Sequence, residues 1–104
     1  LNVISRLRKS DIIARFGGEE FVIILPETDR AGAGVAAEKM RRGIEGHLFR
    51  ADGQELRITM SFGVAELAET DKDNTGLINN ADYAMYRAKN TGRNKVVVYP
   101  DEPL

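Results

Sequence analysis

Two glycines followed directly by two glutamates form the stretch of the chain best suited to chemistry. Gly17 and Gly18 separate two β-rich runs, and Glu19 and Glu20 come next. Glycine accepts the positive φ of a tight hairpin turn, so we expect at least one carboxylate at a hairpin tip that phosphate can approach closely. Carboxylate oxygen is the ligand type that Mg²⁺ prefers when it bridges nucleotide phosphates. On spacing alone, however, the commoner explanation is a surface turn whose glutamates only make it soluble.

Two cations near the end of a predicted helix are the second candidate. Lys89 and Arg93 are four residues apart, at the helix end and in the turn after it. This spacing could place both near one anion. Cations are also common near helix C-termini because they complement the helix dipole, and the sequence leaves both explanations open.

The elements that must position these residues alternate between helices and strands. Hydrophobic periodicity and the glycine and proline positions predict the order helix, strand, strand, helix, strand, helix, strand. We expect the helices at residues 1–7, from Thr28 or Asp29 to about Leu48, and at 75–90, and the strands at 11–16, 21–25, 56–67 and 95–99, with a turn at 51–54. This order predicts an α+β fold, with helices flanking a central sheet that is rich in antiparallel pairs.

Finer features follow from the same patterns. Both faces of Phe21–Leu25 are apolar, which predicts a strand covered on both sides and therefore central in the sheet. Large residues alternate with small or polar ones from Leu56 to Leu67, which predicts one long strand with a bulky face. Tyr83 and Tyr86 lie in an amphipathic helix and are expected to be packing residues.

Composition excludes several classes of protein. The 104 residues are 42% hydrophobic and 30% charged, as in a single ordinary globular domain over 1–104. A formal charge of −1 gives no global attraction to nucleic acid or to an anionic membrane. There is no cysteine and no apolar run long enough to span a bilayer, so we expect a cytoplasmic segment. Leu1 is not a methionine and lies in an apparent helix, so we expect chain to precede it.

Four stretches, in order, resemble one known family. Arg15–Phe21 (RFGGEEF) resembles the signature hairpin of the GGDEF domain of diguanylate cyclases, and Arg8–Asp11 (RKSD) matches the RxxD element upstream of it. Thr59–Ala65 (TMSFGVA) looks like the central strand of that family, and Ala81–Asn94 is similar to its last helix and the following turn. The resemblance covers essentially every residue. It implies a ferredoxin-like fold of the nucleotidyl-cyclase, palm-like type, with its N-terminal part missing.

The resemblance also implies an activity. Family members condense two GTP molecules into cyclic di-GMP and pyrophosphate, and the 3′-hydroxyl of one GTP attacks the α-phosphate of the other. By this likeness Glu19 is a metal ligand for Mg²⁺ or Mn²⁺, Glu20 supports the catalytic site, and Gly17 and Gly18 bind substrate. Each domain holds one GTP, so the active form is expected to be a homodimer.

Further site residues follow from the same resemblance. Lys89 and Arg93 match the cations that bind the triphosphate. Arg8 and Asp11 match an inhibitory product site, where arginine and carboxylate can read the edges of guanine. Lys39 occupies a place where some members carry a second arginine for this site, and a lysine lacks the fork geometry, so weaker product binding is expected. Without the resemblance, Arg8 and Asp11 would be only a surface ion pair.

The family has more elements than this sequence shows. A strand with another metal-binding aspartate, a phosphate loop and a guanine-reading helix precede the matched part, so these residues alone are expected to be incomplete for catalysis. An upstream sensory domain is expected as well. Two other functions remain open, a non-catalytic cyclic di-GMP sensor and a dimerising regulatory domain.

Overall fold

The structure, a computed structural model, describes residues 12–15, 21–67 and 75–100. In chain order its elements are β1 (Ile12–Arg15), β2 (Phe21–Ile24), α1 (Arg30–Glu45), β3 (Phe49–Ala51), β4 (Gln54–Leu56), β5 (Phe62–Val64), α2 (Thr75–Asn90) and β6 (Val96–Val98). The described strands form three pairs, two antiparallel and one parallel. The predicted α+β class, rich in antiparallel pairs, is confirmed. The helix expected at residues 1–7 lies outside the described residues.

Strands β1 and β2 form an antiparallel hairpin, as predicted. Their register runs from Ile12 opposite Ile24 to Arg15 opposite Phe21. The expectation that β2 is covered on both faces is wrong, because Ile24 remains 47% exposed and β2 pairs only with β1 among the described strands. The physical reason is that both described helices pack against β5 and β6 instead.

Helix α1 begins at a side-chain cap and ends at a glycine. Asp29 has extended backbone, and its Oδ1 accepts a hydrogen bond of 2.7 Å from the Gly32 N–H. Asp29 rather than Thr28 is therefore the N-cap. At the other end the Gly46 N–H donates to the Arg42 carbonyl at 3.0 Å. The prediction that this helix reaches Leu48 is wrong, because glycine is a poor helix former and the chain enters β3 soon after.

Strands β3 and β4 form a second hairpin around the predicted turn. Asp52 and Gly53 both have positive φ, 52° and 76°, as a type I′ turn requires. Ala51 pairs with Gln54 directly across it. Among the described helices and strands, β3 and β4 contact only each other, so this hairpin stands apart from the core.

The long strand predicted at residues 56–67 is wrong. Leu56 ends β4, residues 57–61 have no regular structure, and β5 covers only Phe62–Val64. Leu56 and Ile58 are 46% and 44% exposed, so the alternating bulky residues do not line a common buried face. The run breaks because its two ends have different partners, β3 at the start and β6 at the end.

Strands β5 and β6 are parallel neighbours joined through α2. The register places Phe62 beside Val96 and Val64 beside Val98. Parallel neighbours need a crossover connection, and α2 supplies it. The helix comes so close to β5 that a Cβ on Gly63 would lie 2.9 Å from the Cα of Met85, and closer still to the Ala81 carbonyl oxygen and the Met85 nitrogen. Only glycine fits there.

The described core lies between α1, α2 and β5. Its members are apolar and less than a tenth exposed: Ala37, Met40 and Ile44 of α1, Val64 of β5, and Ala84 and Ala88 of α2. Small alanines on α2 let the helix approach the β5–β6 pair closely. None of the described helices is long and apolar enough to cross a membrane.

Candidate functional site

The hairpin β1–β2 supplies the frame of the acidic segment. Gly17, Gly18, Glu19 and Glu20 lie outside the described residues, so the predicted turn and the positions of the two carboxylates stay predictions. The strands that flank them are described, and they pair up to Arg15 opposite Phe21. Paired residues of antiparallel strands have Cα atoms about 4.5–5.5 Å apart. Arg15 and Phe21, the described residues on either side of this segment, therefore lie next to each other at one end of the strand pair.

The two predicted phosphate-binding cations lie at one end of α2. Lys89 is exposed in the last turn of the helix, and Arg93 is exposed just beyond it. The Arg93 N–H donates to the Ala88 carbonyl at 2.9 Å, which closes the helix end. Neither side chain forms an ion pair with another side chain that the structure describes. Both charges are therefore available to an incoming anion.

The turn that carries Arg93 has an unusual backbone. Gly92, Arg93 and Asn94 have successive φ angles of 122°, 62° and 48°. The Asn94 N–H donates to Ser61 Oγ at 3.2 Å, and its side-chain oxygen accepts from Arg41 Nη1 at 3.0 Å. Sequence reasoning missed these contacts. The only signal was an asparagine two residues after a glycine, since asparagine tolerates left-handed backbone better than most residues.

The guanidinium of Arg41 is the centre of a charged cluster on α1. It bonds to Glu38, with Nε donating to Oε1 at 2.9 Å, and its Nη1 lies 3.6 Å from Glu45. The Arg42 Nε also donates to Glu38 at 3.2 Å. The hydrogen bond from Arg41 is the main cause that lowers the pKa of the Glu38 carboxyl, and the same bond raises the pKa of Arg41. Both groups therefore stay charged near neutral pH.

The predicted inhibitory product site is described only in part. Lys39 is exposed on α1 and forms no ion pair with another described side chain. Arg8 and Asp11 lie outside the described residues, so the grouping of these three residues stays a prediction.

The tyrosines of α2 lie outside the core, so the expectation that they are packing residues is met only by the contact of Tyr83 with Tyr99 and is wrong for Tyr86. Tyr83 and Tyr86 are 51% and 65% exposed, and Tyr83 contacts the Tyr99 ring edge-on at 6.2 Å between centroids. Ala84 and Ala88 take the buried side of the helix. Neither tyrosine is three or four positions from Ala84 or Ala88, so neither shares the buried face of these alanines.

No metal site is formed by the described residues alone. Within 12–15, 21–67 and 75–100, no three His, Cys, Asp or Glu side chains are grouped so that they could hold a metal ion. Glu19, the predicted ligand, lies outside these ranges. Its carboxylate oxygen suits Mg²⁺ or Mn²⁺ in type, but one carboxylate is too few ligands for either ion. The donor therefore fits, and further ligands are required.

Comparison with protein families gives one match over most of the chain. The family model described as "Diguanylate cyclase, GGDEF domain" matches residues 2–95. Diguanylate cyclase DgcP of Pseudomonas aeruginosa is 41% identical over 93 residues, covering 89% of this chain and 14% of the relative. Response regulator PleD of Caulobacter vibrioides is 41% identical over 99 residues, covering 93% of this chain and 22% of the relative. The chain thus spans only a small part of these relatives.

Solved structures agree with the sequence comparison. The GGDEF domain of DgcB from Caulobacter crescentus, solved with c-di-GMP, superposes with a TM-score of 0.83 at 29% identity over 93% of this chain and 58% of that one. The active GGEEF domain of a diguanylate cyclase from Vibrio cholerae gives 0.81 at 33% identity, over 97% and 62%. Since the family model matches nearly the whole sequence and these structures share its fold, the chain belongs to the diguanylate cyclase GGDEF domain family.

Proposed function

We propose that this chain is part of the catalytic domain of a diguanylate cyclase, which condenses two GTP molecules into cyclic di-GMP and pyrophosphate. The observation that carries the proposal is the RFGGEEF segment, Arg15–Phe21, whose two ends are paired across the antiparallel hairpin β1–β2. The segment lies inside the family match over residues 2–95. The similar domain from Vibrio cholerae is described as active and carries the same GGEEF variant.

In this reaction the 3′-hydroxyl oxygen of each GTP bonds in turn to the α-phosphorus of the other. Each attack breaks one bond between an α-phosphorus and its pyrophosphate, so two pyrophosphates leave, and each attacking hydroxyl loses its proton to water. Bound Mg²⁺ or Mn²⁺ would lower the pKa of that hydroxyl and neutralise charge on the phosphates. Glu19 would hold the ion together with ligands from outside the described residues. Glu20 supports the site, and Gly17 and Gly18 let a phosphate lie against the hairpin backbone.

Lys89 and Arg93 bind the triphosphate in this proposal. Both are exposed at the same end of α2, and neither is neutralised by another described side chain. An arginine can donate two parallel hydrogen bonds to a phosphate, and a lysine adds a point charge. Together they can offset part of the charge of one triphosphate.

Two copies of the domain are needed for the complete reaction. Each domain holds one GTP, so the proposed active form is a homodimer in which the reaction takes place at the interface between the two domains. The enzyme acts in the cytoplasm, where GTP is available, and neither nucleic acid nor a membrane contacts this segment. Other domains of the gene product would bring the two catalytic domains together in response to a signal. One similar protein, SiaD of Pseudomonas aeruginosa, was solved in complex with its activator SiaC.

Purified intact gene product incubated with GTP and Mg²⁺ tests the proposal. We expect cyclic di-GMP by chromatography, its loss with EDTA, and its return with excess Mg²⁺. Glu19→Gln should lower the rate at least about 100-fold, since it removes a metal-binding charge. The matched control Glu27→Gln removes an exposed charge after the same hairpin and should keep the rate. Cyclic di-GMP binding without turnover would instead indicate a sensor, and neither binding nor turnover a regulatory domain.

We also propose that Arg8, Asp11 and Lys39 bind cyclic di-GMP and inhibit the enzyme. Arginine can donate two hydrogen bonds to the O6/N7 edge of guanine. Arg8→Ala should weaken the cyclic di-GMP affinity roughly tenfold in calorimetry, which corresponds to one such contact. The nearby Arg6→Ala is the matched control and should leave it unchanged. Equal affinities in the two variants would contradict the site.

A further inference from the structure

Asn94 joins the turn after α2 to two other parts of the chain, to α1 through its side-chain amide and to Ser61 through its backbone N–H. Its Oδ1 accepts from Arg41 Nη1 at 3.0 Å, and its Nδ2 donates to Glu45 Oε2, so both ends of the amide are bonded to α1. Its backbone N–H donates to Ser61 Oγ at 3.2 Å, just before β5. We call Asn94 with Arg41, Glu45 and Ser61 the Asn94 clamp.

The turn at Gly92–Asn94 needs such contacts to keep its shape. Arg93 has φ 62° and Asn94 φ 48°, in the left-handed region that residues with a Cβ avoid. Two neighbouring residues of this kind persist only where surrounding contacts hold them. The Arg93 side chain is exposed and forms no ion pair with a described side chain, and the bond from its backbone N–H to the Ala88 carbonyl ties the turn to α2 only. The contacts that join the turn to α1 and to Ser61 are those of the clamp.

The far end of the clamp is fixed to the core. Arg41 is only 14% exposed along its side chain, and Glu38 and Glu45 hold its guanidinium. The neighbouring residues on α1, Met40 and Ile44, are 4% and 2% exposed, so the helix itself is anchored. A bond from Asn94 to Arg41 therefore ties the turn to the rigid part of the fold.

We propose that Asn94 is a positioning residue, which fixes the direction in which Arg93 presents its guanidinium to the triphosphate. The inference rests on the proposed function, in which Arg93 binds GTP. A two-pronged bond between guanidinium and phosphate needs a defined orientation of the donor. Without the clamp, the turn samples other backbone conformations, and binding of GTP weakens before the chemical step is affected.

Asn94→Gly in the intact protein tests this. Glycine accepts the left-handed backbone, so the variant removes the side-chain bonds without adding strain. We expect KM for GTP to rise about 5-fold, the equivalent of losing one of the two hydrogen bonds that Arg93 would donate to phosphate, and kcat to change less than about 2-fold. The control is Asn90→Ala at the same helix end, because the Asn90 side chain bonds to the Tyr86 carbonyl of its own helix and to no other residue that the structure describes. The control should keep the KM of the wild type.

A double-mutant cycle separates positioning from a general structural effect. If Asn94 acts through Arg93, Asn94→Gly adds no further KM increase once Arg93→Ala is present. Arg41→Met should raise KM as Asn94→Gly does, and the two changes should not add. Amide hydrogen exchange at Arg93, whose N–H bonds to the Ala88 carbonyl, should speed up in Asn94→Gly.

The outcomes distinguish this inference from the proposed function. A wild-type protein that makes no cyclic di-GMP overturns the proposed function and this inference with it. A wild-type protein that makes cyclic di-GMP while Asn94→Gly keeps its KM overturns the positioning role alone. An equal KM increase from Asn94→Gly with and without Arg93 also overturns it, as does unchanged exchange of the Arg93 amide.

Discussion

Replacing Gly63 with alanine should cost more stability than any other single added methyl group in the described core. The added Cβ would lie 2.9 Å from the Met85 Cα, and closer to the Ala81 carbonyl oxygen and the Met85 nitrogen. Carbon atoms pack best at about 3.5–4.0 Å, so the overlap with this one atom is roughly 0.6–1.1 Å. All three atoms belong to the backbone of α2, so no side chain can turn aside to relieve the clash.

The helix must then retreat from β5 by about 1 Å. A gap of this size forfeits a quarter to a half of the dispersion energy of the facing atoms. The buried Ala84 and Ala88 lie on the helix that moves. We expect a loss of about 3 kcal/mol, at the upper end for an overpacked core. For a domain of this size that lowers Tm by roughly 12–24 °C in thermal unfolding followed by circular dichroism.

Gly34→Ala is the matched control for this prediction. Gly34 lies inside α1, and a Cβ there would meet only the side-chain Cγ2 of Val98, at 3.3 Å. Alanine gains about 0.5–1 kcal/mol over glycine within a helix, which offsets this mild contact. The control should therefore keep the wild-type Tm within about 3 °C. A Gly63→Ala variant with the same Tm as the control would refute the close approach of α2 to β5.

Three further changes should have measurable effects. Glu38→Gln should lower Tm at neutral pH, because Arg41 lowers the pKa of Glu38 below its ordinary 4.5 and the charged carboxylate therefore stabilises the folded state above pH 4.5. The difference in Tm between wild type and variant should shrink as the pH falls below 4.5 and vanish below the lowered pKa. Glu66→Gln should cost about 0.5–1 kcal/mol in urea unfolding, since the Glu66 carboxylate accepts the Arg30 N–H at the start of α1 at 2.7 Å; an unchanged midpoint would contradict this capping role. Gly53→Ala should cost about 1 kcal/mol, because its φ of 76° strains any residue with a Cβ, and no loss would show that the turn relaxes to another type.

Local signals in the sequence predicted the helices well. Residues 75–90 form α2 with the predicted bounds. Both signals for this helix, its apolar stripe and Gly92 just after its end, are local in the sequence. Asp29 was one of two candidate caps for α1, and only the hydrogen bond to Gly32 decides between them. Short-range patterns therefore give the type of an element and its approximate ends.

Strand partners were harder to predict, because pairing depends on residues far apart in the chain. The alternating pattern of residues 56–67 indicated one strand, yet β4 pairs with β3 and β5 with β6. Nothing in the pattern itself shows that the partner changes between Leu56 and Phe62. The parallel pairing of β5 and β6 was likewise not predicted.

The sequence predicted which single residues belong to the candidate site, but not the contacts between residues that are far apart in the chain. Lys89 and Arg93 lie at one helix end, as their spacing indicated. The Asn94 contacts to Ser61 and Arg41 span 33 and 53 positions of sequence, and no local pattern records such pairs. The roles of Glu19 and its neighbours stay predictions, because these residues lie outside the described ranges.

The isolation of the β3–β4 hairpin makes it a natural point for engineering. Its strands bond to each other and to no other described helix or strand, and the turn at Asp52–Gly53 is exposed. Exposed loop tips of this kind accept inserted sequence most readily, and each doubling of loop length costs only about 0.6 kcal/mol. An epitope or a fluorescent reporter spliced between these two residues should leave the packing of α1 and α2 intact, and the protein could then be followed in living cells.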